Sequence, residues 1–144
     1  MAIKLASICF GLQLLSILVI HAIFPQVYPG DSFIIIWFYI INFFIGIVLF
    51  PLCTMLFKTV PVNGGIKHML ASLLFVLIIF NVVPLLLHHV VYSVKVMKAM
   101  LSPASMRVAA AIEFFNPIVC FFLAYALLGY LSRKKQEQEI EVPE

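Results

Sequence analysis

Residues 5–24 read LASICFGLQLLSILVIHAIF, with Lys4 before them and Pro25 after. The run holds 20 residues without an acidic or a Lys or Arg side chain. At 1.5 Å per residue, a helix of that length covers the roughly 30 Å hydrocarbon core of a bilayer. A secretory leader is the competing reading, but its apolar region runs only about 7–15 residues. Cleavage after Ala22 also places bulky Ile20 where a small residue is wanted. The stretch therefore reads as a retained membrane-spanning helix.

Working outward, three more runs have the same character: Ser32 to Phe57, Met69 to Val94 and Val108 to Leu131. Pro25-Gln26-Val27-Tyr28-Pro29-Gly30-Asp31 separates the first two as a turn-rich loop, with Asp31 or Ser32 placed to cap the next helix. Between Lys58 and Lys67, Pro61 and Asn63-Gly64-Gly65 mark a tight turn, which predicts a hairpin of the second and third helices. Lys95 to Arg107 is mixed in character and reads as a segment lying along the membrane interface. The expected fold class is all-α: an integral membrane four-helix bundle with spans at about 5–24, 32–57, 69–94 and 108–131. A single transmembrane domain takes residues 1–132, and 133–144 form a short charged cytoplasmic tail.

Composition supports lipid as the solvent. Of 144 residues, 65% are hydrophobic and 10% charged, and the mean hydropathy is +1.18. That balance excludes intrinsic disorder, a nucleic-acid-binding module and a conventional soluble enzyme, each of which needs polar surface. The net charge is +3, with the cations at the ends of apolar runs and not in a block, so no nucleic-acid partner is expected. Four spans put both termini on one side. If that side is cytoplasmic it carries Lys4, Lys58, Lys67, Arg133, Lys134 and Lys135, against Lys95, Lys98 and Arg107 outside. The positive-inside rule then gives N-in, C-in, with the plasma (inner) membrane as the expected location.

Each span aligns several of its polar or small residues on one stripe at 100° per residue. These are Cys9, Gln13 and Ser16 on the first; Tyr39, Asn42, Gly46 and Cys53 on the second; and Asn81, Pro84, His88 and Tyr92 on the third. On the fourth they are Ala109, Ala110, Glu113, Asn116, Pro117, Cys120 and Ala124, with Phe114, Phe115, Phe121 and Phe122 largely elsewhere. Helices in lipid associate through small-residue packing and polar contacts, so four such stripes predict one bundle interior. The three cysteines, Cys9, Cys53 and Cys120, lie inside apolar runs without a CxxC motif or a histidine at metal-ligand spacing; they read as buried apolar residues, and no metal site is expected.

Glu113 is the acid placed well inside a span, and an ionisable group there is a functional candidate by default. It lies six residues past Arg107, about 9 Å along the axis, while His89 and His88 lie six and seven residues before Lys95. In an antiparallel pair the three meet at similar depth. With Asn116 and Asn81 they form the candidate site, a polar pocket able to bind a cationic ligand or relay a proton. The competing reading keeps Glu113 protonated or paired near the interface, with the histidines at headgroup level. His21, His88 and His89 also admit a bis-imidazole haem b anchor, although no arginine pair stands out for the propionates. HExxH, GxSxG and phosphate-loop motifs do not occur, so no enzyme activity is expected. The resulting expectation is a small accessory or interaction subunit of a larger membrane system. Its expected partners are the bilayer and other membrane proteins or further copies of itself; ligand or proton handling and a haem anchor are the alternatives.

Overall fold

A computed structural model describes residues 1–24, 32–59, 65–91 and 103–140. These form four helices, α1 (Ala2–Ile23), α2 (Ser32–Leu56), α3 (Gly65–Val91) and α4 (Pro103–Ile140), with no strand among the described residues. All four are long and apolar enough to cross a membrane, as expected. The loop ending at Asp31, the Pro61 to Gly64 turn, the stretch from Tyr92 to Ser102 and the last four residues lie outside the described residues.

The boundaries follow local chemistry. Phe24 closes α1 by donating its N–H to the Ile20 carbonyl at 2.8 Å. Lys58 closes α2 in the left-handed region (φ 53°), with Lys58 N–H donating to Met55 and Thr59 N–H to Thr54 at 3.2 and 2.9 Å. This is the paired-bond pattern that satisfies the last carbonyls of a helix, usually with glycine at the left-handed position. α3 opens on Gly65, at φ +72°. α4 differs from expectation at both ends. It starts at Pro103, inside the segment read as interfacial, because proline's fixed φ suits the first helical position and its missing N–H costs nothing there. It runs on to Ile140, through most of the charged tail, because Arg133 to Ile140 contains good helix formers and no Gly or Pro.

α1 packs against α2 and α4, and α3 packs against the same two, so the helices close a ring in chain order. α1 is antiparallel to α2, with Phe10 on Gly46 and Ile17 beside Tyr39. It is also antiparallel to α4, with Ser16 bonded to Asn116 and Ser7 sharing a groove with Leu128. The main core gathers Leu5, Phe10, Phe50, Val76, Ile79 and Phe121 from all four helices. A smaller cluster of Ile17, Tyr39 and Phe80 is flanked by Ile112.

Most of the stripes face inward. Cys9, Gln13, Tyr39, Asn42, Gly46, Pro117, Cys120 and Ala124 are buried. Two residues differ. Phe121, placed on the outer side by its Phe neighbours, is fully buried, because it lies one turn past Pro117 and one turn before Ala124. Asn81 is exposed: α3 turns Ser72, Val76, Ile79 and Phe80 inward, which leaves Asn81 beside the buried face and not on it.

Candidate functional site

The buried polar groups concentrate where α1 meets α4. Ser16 Oγ lies 2.8 Å from the Gln13 carbonyl and 2.8 Å from Asn116 Oδ1, so its one proton is shared between its own helix and the neighbour. Cys120 Sγ donates to the same Asn116 oxygen at 3.3 Å, and Gln13 Nε2 donates to Cys9 Sγ at 3.5 Å. The spacing explains the local pattern. Cys9 and Gln13, like Asn116 and Cys120, are four apart and therefore stacked on one helix face.

The α1–α2 register adds Asn42 to this level. With Phe10 on Gly46 and Gly11 beside Phe43, the turn of α2 carrying Asn42 lies opposite the turn of α1 carrying Gln13. Gln13 and Asn42 are each 2% exposed, and Ser72, on α3, is 0% exposed. Four atoms of this interior have no hydrogen-bond partner: Gln13 Oε1, Asn42 Oδ1, Ser72 Oγ and Asn116 Nδ2. Each is a neutral group, so the described part of the interior offers hydrogen bonds and thiols but no acid–base pair.

The sequence-predicted residues fall into two sets. Asn116 is in the network, half-buried and bonded to both Ser16 and Cys120. Asn81 bonds within its own helix, donating Nδ2 to the Leu77 carbonyl at 2.6 Å, the i−4 pattern by which a short polar side chain satisfies itself. Glu113 sits on α4 one turn before Asn116, and His88 and His89 sit near the end of α3; their side chains lie outside the described residues. His21 occupies the last turn of α1, half-buried, with Nδ1 unpartnered. Among the described residues no group of three His, Cys, Asp or Glu is placed to hold a metal ion.

Sequence reasoning missed Ser72, whose only signal is a small polar residue amid leucines, and the specific tie between Ser16 and Asn116. Both ends of that tie were visible as stripe residues. Which stripes face each other depends on the order of helices around the ring, which periodicity does not encode. No protein family matches the chain, and comparisons with curated proteins and with solved structures find no match either.

Proposed function

We propose that the chain is a small multi-pass membrane protein that acts as an accessory or interaction subunit of a larger membrane system, N-in and C-in, in the plasma (inner) membrane. The observation that carries this reading is how the interior is used. Phe10, Phe50 and Phe121 fill the centre of the bundle, and its bonded polar side chains hold helix to helix or turn to turn. Among the described residues, what remains to be recognised is outer surface. Phe114 and Phe115 are 61% and 59% exposed, and Val119, Phe122 and Leu123 extend that apolar face along α4. The orientation is supported by the sign of the ends: antiparallel α1 and α4 bring Lys4 to the same end as Arg133 and Lys134, where the positive-inside rule places cytoplasm.

Purification of the tagged chain in mild detergent, followed by mass spectrometry, tests this. Stoichiometric membrane partners are the expected result. A solitary protein that moves protons or a cation in proteoliposomes with a pH-dependent rate overturns it. That second reading, ligand or proton handling at Glu113, His88 and His89, has one observation in its favour. Asn116, one turn from Glu113, holds a buried donor with no partner.

A further inference from the structure

Between the start of α1 and the end of α4 lies an open groove of about 440 Å³. Ile3, Ile8, Leu128 and Leu131 make its walls apolar, and Lys4 and Ser7 supply a cation and a hydroxyl. Ser132 also lines it, with its own proton given to the Leu128 carbonyl at 2.8 Å, so it presents oxygen lone pairs and no free donor. Lys4, Arg133 and Lys134 are exposed, and Lys135 occupies the helical position one turn beyond Leu131 and Ser132. Glu137 and Glu139 come later still on α4, farther from the groove along the axis.

We infer that this groove binds an anionic phospholipid, with an acyl chain against the isoleucine and leucine walls and the headgroup phosphate at Lys4, which lines it, and at the exposed Lys134 one turn beyond Leu131. The argument is charge complementarity joined to shape. A zwitterionic lipid brings its own cation to the Lys4 ammonium at the rim, whereas an anionic headgroup brings none. Basic residues at the membrane surface also attract acidic lipids, and here they border an apolar slot that holds the chain in register. The inference rests on the membrane-spanning reading above.

The test uses the full chain in detergent, titrated with phosphatidylglycerol, with phosphatidylcholine of the same acyl chains, and with glycerophosphate alone. Retained lipid is read by native mass spectrometry and the unfolding midpoint by circular dichroism. Phosphatidylglycerol is expected to bind more tightly than phosphatidylcholine, with Lys4→Gln weakening it about fivefold and Lys4→Gln/Lys134→Gln at least tenfold. Ser7→Phe, which fills the slot and leaves every charge in place, should abolish the preference. Three outcomes overturn the site: equal affinity for the two lipids, an equal effect of glycerophosphate, or an equal loss from Lys58→Gln/Lys67→Gln, which removes cations outside the groove. Carbonate extraction of membranes from expressing cells separates the two readings. A chain released by carbonate removes the membrane reading itself, whereas a retained chain without lipid preference removes only the groove.

Discussion

The contact between Phe10 and Gly46 makes a sharp quantitative prediction. A Cβ built at Gly46 would lie 2.6 Å from Phe10 Cζ and 2.7 Å from both Cδ1 and Cδ2. Near-equal distances to alternate ring atoms put the new methyl over the face of the ring, so rotating the ring gives no relief. Ordinary contact begins at 3.4 Å, so ring and helix must part by about 0.8 Å. Phe10 is 1% exposed, and the displacement has to be taken up by the α1–α2 seam itself. Overpacking of this kind costs about 1–3 kcal/mol. The same seam contains its own control, since a Cβ at Gly11 meets only Phe43 Cε2, at 3.6 Å. Both substitutions gain the same helix propensity, so the difference between Gly46→Ala and Gly11→Ala isolates the clash. We expect Gly46→Ala to be less stable by about 1–3 kcal/mol, or roughly 2–12 °C in unfolding midpoint for a chain of this size. Thermal unfolding in detergent by circular dichroism measures it. In a Phe10→Ala background the penalty should disappear, because the obstructing ring is gone. Equal midpoints for the two alanine variants, or a Gly46→Ala penalty that survives Phe10→Ala, would refute the packing argument.

Other substitutions extend the same reasoning. Lys58→Gly should raise stability by about 1 kcal/mol in the same melt, since a non-glycine residue in the left-handed region costs roughly 1–2 kcal/mol. Gly129→Ala, where an added Cβ meets nothing within 4 Å, should also stabilise, by up to about 1 kcal/mol. Glu113→Gln and His88→Ala should leave membrane accumulation and partner recovery unchanged if the chain is an interaction subunit; loss of activity with normal accumulation would move the function to the intramembrane acid.

The helices were legible because runs this long and apolar, read as lying in a bilayer, leave few options. With no water to satisfy the backbone, the apolar runs at residues 5–24, 32–57, 69–94 and 108–131 had to be helices or barrel strands, and runs of this length suit helices. The start of α4 was harder to place, because Lys95 to Arg107 mixes cations with apolar residues and Pro103 reads equally as a breaker and as a first helical residue. The stripes on α1, α2 and most of α4 were legible from spacing. Asn81 was not, because 100° separates it from Phe80, and a polar residue near an inward face can bond its own carbonyl at Leu77 instead of a neighbouring helix. Gly46 shows what spacing leaves out: its place on a stripe was visible, but not that it receives the ring of Phe10.

The turn of α4 from Glu113 to Pro117 is where a structural and a chemical interior part company. Proline at 117 has no N–H, so the Glu113 carbonyl loses its ladder donor, and Asn116 beside it keeps a buried Nδ2 without a partner. A purely structural tie has a known signature. Removing one member strands the other, costing about 1–3 kcal/mol, whereas replacing both by apolar groups of similar shape is close to neutral. Ser16→Ala leaves Asn116 Oδ1 with only the weak Cys120 thiol as donor, and Asn116→Leu leaves the Ser16 hydroxyl on its own helix, bonded to the Gln13 carbonyl. If the pair only joins helices, Ser16→Ala should cost more stability than Ser16→Ala/Asn116→Leu, and the double variant should recover partners as the unaltered chain does. If Asn116 instead serves chemistry at Glu113, the double variant should be as stable as the unaltered chain yet inactive. Unfolding and partner recovery of these two proteins, together with pH-dependent proton or cation flux in proteoliposomes, therefore decide between the readings.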